Sequence, residues 1–198
     1  MSIDVSRTFS VRAQVILGVA CGLLEVLVNF LQEHFNPVPI FMDTLLTITA
    51  SFFGGISGAL SAVIFRVLAK VLHNQTPFAF FWLVCSLSLV AIIRLFVRAR
   101  RELSAMDIVL LSFMASIIIS VEGAFVFSLL HVIADYREDP SVRQMYLFLK
   151  SNGIPLFISA LLPRVPMNLL DKGICVPLGF LLYAVARRIM PERSTSEE

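Results

Sequence analysis

Residues 37–70 read PVPIFMDTLLTITASFFGGISGALSAVIFRVLAK, with Asp43 near one end and Arg66 and Lys70 near the other. The stretch is apolar enough to enter a bilayer. Between its charges lies a run of small residues: Ser51, Gly54, Gly55, Ser57, Gly58, Ala59, Ser61 and Ala62. The Gly54–Gly55 pair predicts a tight turn. The arms on either side are then helices of about 15 and 18 residues, roughly 22 and 27 Å long. Such arms cross, or nearly cross, a hydrocarbon core about 30 Å thick. Asp43 lies 12 positions before Gly55 and Arg66 lies 11 after it, so antiparallel arms bring both to one depth. A charge in the membrane is costly unless it is paired or hydrated, so an Asp43–Arg66 pair is expected.

The rest of the chain has the same character. Its 198 residues are 58% hydrophobic and only 15% charged, with a mean hydropathy of +0.86. A soluble domain of this length is not so apolar, and the chain reads as one all-α membrane domain. The net charge of +2 gives no reason to expect nucleic acid. Cys21, Cys85 and Cys175 are scattered singly and form no CxxC. They read as small membrane-buried side chains rather than metal ligands or a disulfide framework. The polar head MSIDVSRTFSVRAQ, followed by an apolar run long enough to span, does not read as a cleavable signal.

Six transmembrane spans are expected, at about 12–32, 40–54, 56–73, 78–97, 105–133 and 166–187, by hydropathy and breaker residues. The first holds Gly18 and Gly22, a small-xxx-small face that suits either packing within the bundle or docking of another membrane subunit. Glu25 and Asn29 lie one turn apart on it and should face the interior or the outer water boundary. Trp82 opens the fourth span at the level of the aromatic belt. The fifth carries Ser112, Ser116 and Ser120 at four-residue spacing, closed by Gly123, with Glu122 on another face. Two non-lipid faces predict a central helix. Residues 144–162 are broken by Lys150, Asn152, Gly153 and Pro155 and read as an extra helical segment over or partly in the bundle. The last span is expected to begin at Pro166, because proline is tolerated in a first turn. Arg7 and Arg12, Arg94, Arg98, Arg100 and Arg101, and Arg187, Arg188 and Arg193 fall on one side. By the positive-inside rule both termini are then cytoplasmic. Arg66, Lys70, Arg137, Arg143, Lys150 and Arg164 oppose this bias from the other side.

The segment PRVPMNLLDKG, residues 163–173, places Asn168, Asp171 and Lys172 at i, i+3 and i+4 on one helical face. Such a face is either a salt-bridged helix end with Lys172 snorkelling or a polar patch that binds a small solute, since buried polar groups need partners. Glu122 reads as a structural hydrogen bond or a ligand contact. His131 and Trp82 read as interfacial residues or as parts of the same pocket. HExxH, GxSxG, P-loop and CxxC motifs are absent, so no enzyme activity, no catalytic residue, no metal and no cofactor is expected. Active transport would need a separate motor.

PIFMDTLLTITASFFGGISGALSAVI, RVPMNLLDKGICVPLGFLLY and the Gly18-xxx-Gly22 face together resemble the substrate-binding S component of energy-coupling factor (ECF) vitamin transporters. The resemblance covers most of the chain. It departs at span one, where glycines replace an alanine-based motif, and after span five, where no one vitamin subfamily fits. It implies a multi-pass protein of the bacterial cell (inner) membrane that binds a small water-soluble vitamin from outside. It also implies docking through spans one to three, by Gly18, Gly22, Gly54, Gly58 and Ala62, onto a transmembrane coupling subunit driven by two ATPase subunits. The subunit would then topple and release the solute inside. The substrate site implied comprises Asp43, Trp82, Glu122, His131, Asn168, Asp171 and Lys172. A membrane sensor domain and a ligand-free accessory protein are the alternative readings.

Overall fold

The computed structural model describes residues 3–4, 9–35, 44–72, 77–100, 102–136 and 140–189. Among these, seven α-helices follow in order: α1 (Val11–Phe35), α2 (Leu45–Phe53), α3 (Gly55–Leu72), α4 (Trp82–Ala99), α5 (Ala105–Ala134), α6 (Pro140–Ser151) and α7 (Leu156–Ile189). A 3-10 turn over Pro77–Phe81 leads into α4, and two short strands, β1 (Ile3–Asp4) and β2 (Glu102–Leu103), pair antiparallel. Five helices, α1, α3, α4, α5 and α7, are long and apolar enough to cross a membrane. The chain is a multi-pass, predominantly helical membrane protein.

Side-chain contacts fix the helix directions. Gly18 meets Ser57 and Leu60, and Gly22 meets Ser61 and Ile64, so α1 and α3 run parallel. Thr47 bonds Ser61, which makes α2 antiparallel to α3. Arg66 bonds Ser86 and Gly58 meets Val90, so α4 returns. Ser116 and Ser120 bond Asn168 and Arg164, so α5 and α7 are antiparallel. One end of the bundle, the head end, therefore gathers the start of α1, the α2–α3 turn, the α4–α5 connection and the end of α7. The α5–α6–α7 connections lie at the far end.

The turn at Gly54–Gly55 forms as the glycine pair predicts: α2 ends at Phe53 and α3 begins at Gly55. Of the expected span 40–54, residues 40–43 lie outside the described residues. Over 40–54 the described helix is only the nine residues Leu45–Phe53, about 13 Å long at 1.5 Å per residue. That is less than half of a hydrocarbon core. The expected Asp43–Arg66 pair falls outside the described residues.

The last span differs from expectation. The segment expected over 144–162 divides. Its first part belongs to α6, Asn152–Pro155 form a break, and the rest opens α7, which runs through Pro163, Pro166 and Pro177 as one 34-residue helix. Gly153 sits at φ 79°, the left-handed backbone that glycine adopts without a Cβ clash. Each proline removes one backbone donor. In a membrane, neighbouring helices and Ser side chains supply replacement hydrogen bonds, so proline does not have to start a helix.

A serine stripe on α5 ties α5 and α7 together across this region. Ser112, Ser116 and Ser120 each donate to the carbonyl four residues earlier, at 2.7–2.8 Å. Ser116 also reaches the Asn168 carbonyl at 2.9 Å and Ser120 the Arg164 carbonyl at 3.2 Å. Helix α5 is central, as its two non-lipid faces predict: half of its most apolar stretch is buried, against 17% for α1. Its first turn is held by a capping box between Ser104 and Asp107, which satisfies two otherwise orphaned amides. Leu89, Ile93, Leu111, Ala115, Cys175, Val176 and Tyr183 form the core with Ile48 and Phe52 of α2. The three cysteines are buried and form no disulfide.

Candidate functional site

Two groups of polar side chains lie within the bundle. The first surrounds the start of α2. Lys172 is 16 residues beyond Leu156 and 17 before Ile189, so this group sits near the middle of α7. Lys172 Nζ donates to Asp171 Oδ2 and, at 2.8 Å, to Thr44 Oγ1. Cys175 Sγ donates to Asp171 Oδ1 at 3.4 Å. From α1, Glu25 Oε2 accepts the Thr47 amide at 2.6 Å. Thr44 is the N-cap of α2, so Thr47 is its third residue and its amide has no intrahelical acceptor. Glu25, Asp171 and Lys172 are buried, at 0%, 1% and 3% exposure.

At the opposite end of α2, Arg94 of α4 donates Nη1 to the Ser51 and Phe52 carbonyls, both at 3.3 Å. A carboxylate at its N-terminus and a guanidinium at its C-terminus both complement the helix dipole. Short as it is, α2 is held at each end by a charge from a longer helix.

The second group lies toward the far end, where α4, α5, α6 and α7 meet. Arg164 of α7 is 7% exposed and its guanidinium lies 5.8 Å from the Trp82 ring and 5.0 Å from the Phe127 ring. Its Nη1 donates to the Ala160 carbonyl at 2.8 Å. Trp82 packs on Tyr136 at 6.4 Å, and Phe127 stacks on His131 at 5.6 Å. His131 Nδ1 lies 3.1 Å from the Tyr136 carbonyl. Its Nε2 lies 3.0 Å from Lys150 Nζ, which also donates to the Tyr146 hydroxyl at 3.1 Å. This wall of rings carries cations over its faces, the geometry of cation–π attraction.

The residues expected to share one solute site therefore divide. Asp171 and Lys172 belong to the centre at α2. Trp82 and His131 belong to the far cluster. Asn168 joins neither: its Nδ2 donates to Ser120 Oγ at 3.0 Å and it ties α7 to α5. Glu122 accepts from Ser88 Oγ on α4 at 2.7 Å, and its Oε2 is buried without a hydrogen-bond partner among the described residues. Glu122, Arg66 and Arg164 all lie within electrostatic reach of Cys85. Glu122, Asn168 and Lys172 thus turn to three different helices, because each finds a protein partner nearer than the others. Asp43 lies outside the described residues.

The small residues expected to dock a partner are filled from within. A Cβ at Gly18 would meet the Ser57 carbonyl at 2.7 Å, and one at Gly22 would meet Ile64 at 2.9 Å. Gly54 packs under Gln14, Gly58 against Ser51 and Val90, and Ala62 is buried. Of the two readings of Gly18-xxx-Gly22, packing within the bundle describes its place: the absent side chains bring α1 onto α3.

Sequence reasoning missed Arg94 and Arg164, which it counted only toward orientation, and left Glu25 without a role. The signal for Arg94 was its place inside the apolar run VAIIRLFV. For Arg164 it was the flanking pair Pro163 and Pro166, which suggested a loop where the structure has a helix.

Among family models, curated proteins and solved structures, none matches the chain.

Proposed function

We propose that the chain is the solute-binding subunit of an uptake system for a small water-soluble vitamin in a bacterial cell membrane. In this reading it works with a transmembrane coupling subunit and two ATPase subunits. It crosses six times, with α2 in the second crossing, and keeps both termini in the cytoplasm. The observation that carries the reading is the convergence of Glu25, Asp171 and Lys172 on the N-terminus of the nine-residue α2, near mid-depth. Ionisable groups inside a membrane mark solute and ion pathways. Short helices ending near the bilayer midplane are a recurrent way for transporters to present backbone dipoles to a solute. The far cluster, with Trp82, His131, Arg164 and the nearby Glu122, supplies the aromatic and polar mixture that a small-molecule site uses along the approach from outside. Partner docking falls to the outward faces of α1 to α3, because their glycines are used internally.

The test is binding. The chain, purified in detergent, is analysed by native mass spectrometry for a retained small molecule, then by thermal unfolding against a vitamin panel. A ligand at a hundred times its Kd should stabilise the protein by about 2.7 kcal/mol. The reading fails if nothing is retained and no vitamin shifts the transition.

A further inference from the structure

Helix α6 is neither a span nor a loop. Its 12 residues, PSVRQMYLFLKS, join the far ends of two membrane-crossing helices, α5 and α7. At about 100° per residue its side chains sort into three directions. Val142, Tyr146 and Leu149 share one stripe and are buried against the bundle. Met145 and Phe148 form one edge, 47% and 66% exposed. Arg143 and Lys150 form the opposite edge, also exposed, with Leu147, 50% exposed, beside Arg143. Lys150 is held there by His131 and Tyr146.

The apolar edge does not stand alone. The end of α5 exposes Val132 and Ile133, and the start of α7 exposes Ile158 and Leu162. These belong to helices whose exposed apolar faces meet lipid. The α6–α7 break is short and internally bonded: the Asn152 amide donates to the Phe148 and Leu149 carbonyls, and the Ile154 amide to Leu149. Helix α6 is therefore held at the end of the bundle where α7 begins. Too short and too polar to cross, and apolar along one edge, it has the character of an interfacial helix.

We propose that α6 is a bilayer-docked cap: its Met145–Phe148 edge inserts into the boundary between lipid head groups and acyl chains, while its Arg143–Lys150 edge faces water over the far cluster. This rests on the multi-pass architecture alone and is independent of any solute.

The experiment reads the two edges against each other in lipid nanodiscs. Trp82 is the only tryptophan, so Phe148→Trp and Arg143→Trp are each made with Trp82→Phe. Quenching is measured with acyl-brominated lipid and with acrylamide. The position-148 tryptophan should be quenched several-fold more by brominated lipid than the position-143 tryptophan, and acrylamide should give the reverse order. To keep Trp82 intact, spin labels on Phe148→Cys and Arg143→Cys are compared for access to oxygen and to a water-soluble nickel chelate, with the same order expected. Equal access at both positions, water access at 148, or protection of 148 from both quenchers by a protein partner would overturn the proposal.

Discussion

The centre at the start of α2 and the cluster at the far end bury charge by opposite means. At α2, Asp171 and Lys172 neutralise one another, and Glu25 is met by a helix N-terminus. In the far cluster, Arg164 lies over Trp82 and Phe127, and at its exposed edge Lys150 is shared by an imidazole and a phenol. The first arrangement is all-or-none: removing one partner strands an uncompensated charge in a low-dielectric interior. The second is graded, because a ring face still covers what a lost cation leaves. The α2 centre should therefore govern stability, and the far cluster should tolerate change and rearrangement.

The largest expected effect breaks the first region. Lys172→Met leaves Asp171 buried without its cation and should cost about 3–5 kcal/mol. Combining it with Asp171→Leu should recover most of that loss. Denaturant unfolding in micelles measures both, and equal losses in single and double variants would erase the contrast between the regions.

Next, Glu25→Leu strips the acceptor from the Thr47 amide and should cost about 1–3 kcal/mol. Glu25→Gln keeps an acceptor and should lose clearly less. Identical losses would show that the hydrogen bond at α2 is not what Glu25 provides.

Arg164→Met in the far cluster should cost about 1–2 kcal/mol through its two ring contacts. It should also shift the emission of Trp82, the single tryptophan; unchanged emission would mean that Arg164 does not lie over that ring. Smallest of all, Lys150→Ala at the exposed edge of α6 should change stability by no more than about 0.5 kcal/mol. A loss as large as that from Lys172→Met would place the far cluster in the same class as the α2 centre.

The two regions also differ in how legible they were. Asp171 and Lys172 could be read as inward-facing from their spacing and apolar surroundings. Their partner Thr44 is 128 positions from Lys172, and no local pattern links the two. The Glu25 contact with Thr47 has the same character at a separation of 22. In the far cluster Trp82 and His131 were singled out by type, whereas Arg164 was misplaced. The rule that proline opens a helix comes from chains whose broken hydrogen bonds go to water. Here α7 lies packed on α5 inside the bundle, with Ser116 and Ser120 bonding its Asn168 and Arg164 carbonyls, and the helix continues through Pro163 and Pro166.

The sequence by itself determined that this is a multi-pass helical membrane protein, because several apolar runs of this length with few charges among them have no other stable solvent. It also determined the Gly54–Gly55 turn, the central place of α5 and the break near Gly153, each a matter of local backbone freedom or helical period. Only the tertiary structure decided that α2 is clamped between Glu25 and Arg94, and that Asn168, Glu122 and Lys172 serve three different neighbours. Which face of a helix is polar follows from 3.6-residue periodicity. Which helix satisfies that face depends on contacts between residues far apart in the chain.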